Sequence, residues 1–137
     1  MISKIKLITI GKVKEKYLLE GIKEYKKRLT PFVKLDIIEL KENSNPNLDK
    51  YMGNNSYLLD ANGAQYTSEE FSGLLKRVEG EITFIIGGAE GFSIDLKKKF
   101  KLISLSKMTF IHEMSQLIFL EQIYRGFMIL NNRNYHK

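Results

Sequence analysis

Two histidines, no cysteine and a small set of polar residues near the C-terminus define what chemistry this chain can perform. His112 follows the polar segment Ser106-Lys107-Met108-Thr109 and opens an apolar helical pattern. An imidazole there suits an acid, a base or a hydrogen-bond donor, and equally suits a plain polar helix end. Tyr135, His136 and Lys137 close the chain, either as ordered groups or as a frayed terminus. Glu121 and Arg125 stand four apart, the spacing of a helical ion pair, although an arginine turned toward a ligand is the alternative. Without cysteine there are neither disulfides nor thiolate metal sites, and two histidines leave little for zinc, so no metal is expected.

The segment Gly87-Gly88-Ala89-Glu90-Gly91 lets a backbone approach a ligand closely, or simply makes a tight turn from strand to helix. It is neither a G-x-G-x-x-G dinucleotide loop nor a phosphate loop ending in Gly-Lys-Ser/Thr. Two other patterns fail. His112-Glu113-Met114-Ser115-Gln116 has glutamine where a zinc protease needs its second histidine. Ser104 and Lys107 match S-x-x-K without its companion elements.

The elements that must position these residues follow from hydrophobic period. Ile5, Leu7, Ile8 and Ile10 make a first strand ending at Gly11. Leu18, Ile22, Tyr25 and Leu29 mark a helix over 15–29, closed by Pro31. Its other side carries Lys16, Lys23, Lys26, Lys27 and Arg28, a solvated face or a phosphate-contacting one. A second strand is expected over 33–40, and a polar loop over 41–55. Leu58 and Leu59 start a brief third strand ending at Asp60, with Ala61-Asn62-Gly63-Ala64 as a turn. Thr67 or Ser68 caps a helix whose inward face is Phe71, Leu74, Leu75 and Val78, stopped by Gly80. Ile82 to Ile86 reads as a central, buried parallel strand, and Ser93 caps a short helix reaching Phe100. Leu102, Ile103 and Leu105 form the last strand. The final helix is apolar around most of its circumference, so it needs covering on more than one side, by its own domain or by a second copy.

This alternation predicts a single α/β domain, residues 1–137, built on an open, mainly parallel sheet. Ligands of such sheets bind beyond the carboxyl ends of the strands. Three loops lie there: after Leu59, after Ile86 and after Leu105.

With 22 Lys and Arg against 16 Asp and Glu, the chain carries +6, which favours an anionic partner and also suits a merely soluble basic protein. The first residues lack the apolar core of a secretory signal. No apolar run approaches the roughly twenty residues needed to span a bilayer, so a cytoplasmic protein without membrane association is expected.

Taken together, FIIGGAEG, LSKMT, His112, LEQIYRGF and a YHK ending resemble the small bacterial RlmH methyltransferase family, which modifies a pseudouridine in large-subunit (23S) ribosomal RNA. The opening KLITIGKVKEKYLLEGIKEYKKRL and IIEL extend the likeness over nearly the whole chain. The resemblance implies a SPOUT-type α/β fold with a C-terminal trefoil knot, a known exception to unknotted connections. It implies S-adenosylmethionine bound by Leu59, by Gly87 and Gly88, and by Leu105, Ser106, Lys107, Met108, Thr109 and Phe110. It also implies a homodimer with the last helix at the interface, and methyl transfer to N3 of the base within the assembled ribosome. His112, Tyr135 and His136 are then the expected catalytic groups, and Arg125 and Lys137 the expected RNA contacts. The chain departs from the family in a shorter 41–55 loop, in Ile111 where proline is common, and in Gln116 where a basic residue is common. These departures bear on the RNA-facing side. A related enzyme acting on transfer RNA, or a basic RNA-binding module without catalysis, are the alternatives.

Overall fold

The computed structural model describes residues 1–41 and 47–137, so the expected 41–55 loop falls partly outside the described residues. Among the described residues five strands, β1 (Ile2–Ile10), β2 (Lys34–Leu40), β3 (Ser56–Gln65), β4 (Gly80–Ile86) and β5 (Lys101–Ser104), form one sheet in the order β2-β1-β4-β3-β5. Every pairing is parallel. The connecting helices are α1 (Lys16–Leu29), α2 (Ser68–Arg77), α3 (Ile94–Lys99) and α4 (His112–Leu130), with a 3-10 turn at Asp49–Tyr51.

The period-two alternation of the strands sorts their side chains onto two faces. Ile5, Leu7, Phe84 and Ile86 join residues of α1, α2 and α4 in the larger core. Ile8, Ile10, Leu58 and Ile85 meet Phe100, Leu96 and Leu48 in a smaller one on the other face. A cluster of three phenylalanines knits β4, α2 and α4 together: Phe84 and Phe119 have ring centroids 4.7 Å apart, and Phe71 lies 5.6 Å from Phe119. Each such pair adds about 0.5–1.5 kcal/mol beyond its buried area.

Local chemistry sets the helix starts. Thr67 and Glu70 form a reciprocal capping box at α2, with Thr67 Oγ1 accepting from the Glu70 amide and Glu70 Oε1 accepting from the Thr67 amide. Ser93 Oγ accepts from the Leu96 amide at α3.

One expectation is corrected. The third strand does not stop at Asp60; it runs on to Gln65, and Ile103 of β5 pairs with both Leu59 and Ala64. Residues 60–63 therefore carry the chain past β5. At Gly63 a Cβ would lie 2.7 Å from the Ile103 nitrogen and 2.7 Å from the Leu102 carbonyl carbon. Only a residue without a side chain permits that backbone-on-backbone approach.

α4 packs against both α1 and α2 above the sheet. Phe119, Leu120, Ile123, Phe127 and Met128 are buried, while Met114, Leu117, Ile118 and Tyr124, recurring at helical spacing, are half-buried. The domain alone thus covers one side of this helix fully and the rest in part. No helix among the described residues is long and apolar enough to cross a membrane.

Candidate active site

The carboxyl ends of β3, β4 and β5 open onto a cavity of about 700 Å³. Leu59 comes to it from β3, Gly87 and Gly88 from the loop after β4, and Leu105, Ser106, Met108, Thr109 and Phe110 from the segment after β5. His112 lines it at the start of α4. The three loops singled out by strand order therefore meet in one place.

The loop after β5 holds its own shape. Ser104 Oγ donates to the Ser106 carbonyl at 2.9 Å, and Ser106 Oγ accepts from the Met108 amide at 3.0 Å. Lys107 is exposed and does not line the cavity. In the glycine loop, the space a Gly87 side chain would fill is taken by the Phe92 ring, 3.2 Å from the Cβ position. The missing side chain is thus used within the loop, and Phe92 itself becomes part of the cavity wall.

Three polar groups of the wall escaped sequence reasoning. Asp60 forms an ion pair with Lys97 at 3.1 Å and accepts from the Asn62 amide at 3.0 Å. Glu113 is buried, and its Oε1 accepts from the Lys14 amide at 3.1 Å, tying the β1–α1 connection to the first turn of α4. Ser115 follows one half-turn later. An acidic residue in a first helical turn is ordinary, so the sequence offered no reason to single out Glu113. By contrast, the His112 side chain lines the cavity and makes no hydrogen bond among the described residues.

The remaining predicted residues gather elsewhere. Asn132, with φ of 53°, ends α4 in the left-handed region. The Arg133 amide bonds back to the Met128 carbonyl at 2.9 Å and the Asn132 amide to Ile129 at 3.2 Å, the paired bonds of a Schellman turn. That turn reverses the tail, which packs Tyr135 edge-on against Tyr124 with centroids 4.9 Å apart. The tail thus packs back onto α1 and α4. The Tyr135 hydroxyl lies 3.2 Å from that of Tyr25 and 3.5 Å from Glu121 Oε1. Burial first, then the Tyr25 hydrogen bond and the Glu121 charge, push the Tyr135 phenol far above its ordinary range, so it keeps its proton and donates a hydrogen bond to Glu121 Oε1.

Arg125 donates from Nε at 2.9 Å and from Nη2 to Glu121, and its guanidinium lies 4.9 Å from the Tyr135 ring centroid. Its Nη1 faces His136 Nδ1 at 3.1 Å, while His136 Nε2 lies 2.7 Å from Glu69 Oε1. The ion pair anticipated from the spacing is present. Neither Tyr135, His136, Arg125 nor Lys137 lines the cavity of its own chain. Gln116 is buried in α4, so the departure at that position lies within the core. Ile111 is 61% exposed at the cavity mouth. Among the described residues, no group of three or more His, Asp or Glu could hold a metal.

A family model described as "Predicted SPOUT methyltransferase" matches residues 3–136. The chain is 39% identical to ribosomal RNA large subunit methyltransferase H of Natranaerobius thermophilus, over 97% of this chain and 99% of that one. It is 41% identical to the protein of the same name from Streptococcus suis, over 98% and 99%, and 38% identical to that of Enterococcus faecalis over the same shares. The first alignment spans 157 positions against 137 residues here, so this chain lacks residues its relative has. Among solved structures, a probable methylase family protein from Haemophilus influenzae aligns with a TM-score of 0.55 at 10% identity, covering 95% of this chain and 67% of that one. That likeness concerns the fold.

Proposed function

Because this chain belongs to the SPOUT methyltransferase family, among proteins named ribosomal RNA large subunit methyltransferase H, we propose that it methylates N3 of a pseudouridine in large-subunit ribosomal RNA of the assembled ribosome, using S-adenosylmethionine. The observation that carries the reading is the meeting of three carboxyl-end loops and His112 on one cavity. Its volume lies within the usual range for small-molecule sites, and its walls suit the group. Leu59, Ile86, Leu105, Met108 and Phe110 offer apolar surface to a purine and a thioether chain, and Ser106 and Thr109 supply polar groups beside them. The cofactor supplies an electrophilic methyl on a sulfonium centre.

The protein's part is orientation and proton handling. N3 of the base carries a weakly acidic proton that must leave for its lone pair to attack in line. His112, whose ring makes no hydrogen bond among the described residues, accepts that proton or stabilises the anion left behind. Tyr135 and His136 take part from the tail of a second copy, since in their own chain they do not line the cavity. The reading thus requires a homodimer, and the half-buried Met114, Leu117, Ile118 and Tyr124 of α4 supply an apolar surface for it. The passage of residues 60–63 against β5 supports the trefoil knot. Lys137 meets phosphate, and the work is done where ribosomes are, in the cytoplasm.

Transfer of a tritiated methyl group, compared on intact ribosomes, free subunits and bulk transfer RNA, tests this. Label confined to the large-subunit RNA of intact ribosomes is expected. Label appearing only in transfer RNA would overturn the substrate, and no binding of the cofactor in calorimetry would overturn the activity.

A further inference from the structure

His136 sits between two groups of opposite character, and the chemistry of one fixes the role of the other. An arginine guanidinium has only donors. At 3.1 Å from Arg125 Nη1, His136 Nδ1 must therefore accept, leaving its lone pair engaged and the ring proton on Nε2. That N–H donates to Glu69 Oε1 at 2.7 Å. Glu69 lies in the first turn of α2, and Arg125 is itself held by Glu121. The tail is thus gripped by α2 on one side of the imidazole and by α4 on the other, while Tyr25 of α1 meets Tyr135 one residue earlier. The hydrogen bond from His136 also holds the Glu69 carboxyl below the usual range.

We infer that Glu69 is a positioning residue for methyl transfer: with Arg125 it fixes the His136 ring in its Nε2–H tautomer and so fixes the direction in which the tail presents Tyr135, His136 and Lys137. This rests on the reading that the tail takes part in the reaction. Glu69 touches neither cofactor nor base and acts only through His136. Its side chain is 64% exposed, and an exposed pair adds little to stability, so the contribution is geometric.

The test uses full-length protein, intact ribosomes and three variants. Glu69→Ala removes the acceptor, Glu69→Gln keeps a side-chain oxygen that accepts from Nε2–H, and His136→Ala removes the ring. Two-bond proton–nitrogen NMR reads the tautomer directly, since only His112 and His136 contribute signals. In the unaltered protein His136 should show the single Nε2–H tautomer. With Glu69→Ala the ring is held from one side only and leaves Arg125 part of the time, so this variant should show a tautomer mixture and a kcat about tenfold to a hundredfold lower, the scale of a misplacement of up to about 1 Å near the reacting atoms, with KM for ribosomes and the melting temperature unchanged. Glu69→Gln should restore the tautomer and most of the rate. If Glu69→Ala keeps either the full rate or the single tautomer, or if Glu69→Gln is as slow as Glu69→Ala, the inference is overturned. The reading beneath it fails separately: His136→Ala at full rate would remove the tail from the reaction, whereas a slow His136→Ala beside a fast Glu69→Ala would remove Glu69 alone.

Discussion

Gly63 rests on the backbone of Ile103, with the position of its absent Cβ 2.7 Å from the Ile103 nitrogen. A methyl group there meets main chain that is itself paired to β3, so it cannot move aside as a side chain end could. Gly63→Ala is expected to destabilise the fold by about 1–3 kcal/mol or more, the range for overpacking. It should also weaken cofactor binding, because Leu59 and Asp60 of the cavity wall lie on the same strand. Urea unfolding and calorimetry measure the two effects, and a variant with native stability would show that the crossing is looser than described.

His112→Ala should leave cofactor affinity nearly unchanged while slowing single-turnover transfer roughly 10²- to 10⁴-fold, the usual contribution of a general acid or base. Unaltered single-turnover rates on ribosomes would remove His112 from the chemistry.

Arg125 and Lys137 should separate in a salt titration of ribosome binding. Arg125 directs one N–H from each of its three nitrogens to Glu121 or His136, and Glu121 offsets its charge, so Arg125→Ala should lower the melting temperature without changing the salt slope. Lys137 is exposed at the chain end, and Lys137→Ala should reduce that slope by about one. Equal slopes for both variants would refute this division.

Tyr135 supplies a pH signature. Its phenol is raised in the folded protein, so the stabilisation it contributes is fully present below the ordinary tyrosine value of about 10 and is lost as pH rises from there toward the folded value. Stability measured by urea unfolding should fall above pH 10, and Tyr135→Phe should flatten that fall. A profile identical in the two proteins would mean that the phenol is not held as described.

Asn132→Gly should preserve the tail, since glycine adopts a positive φ freely, whereas Asn132→Val forces a β-branched residue into φ of 53°. The valine variant is expected to lose the Tyr124–Tyr135 contact, visible as increased amide exchange over residues 133–137, with the α4 core unaffected. Equal protection in both variants would refute the role of the turn.

Local signals made much of this structure legible. The run ITFII gave the central strand, and the pattern from Thr67 to Glu70 gave the start of α2, because both depend on neighbours a few residues apart. Loop position followed from strand order, so Leu59, Gly87 and Leu105 could be placed together before any contact was known. The misread stretch was Ala61 to Ala64, whose composition is that of a turn. Its true constraint is β5, some forty residues later, and local propensity carries no trace of such a partner. The same holds for Glu69 and His136, which stand 67 apart, and for Glu113, whose partner is a main-chain amide near the N-terminus.

The cavity draws its walls from Leu59 at one extreme and Ser115 at the other. A chain still being synthesised must therefore release its last strand and the first turn of α4 before the pocket is complete. Every truncated product ending before residue 105 lacks the third loop of this cavity, however well its first four strands have paired. Under the proposed function, unfinished chains are in this way barred from modifying the machine that is making them.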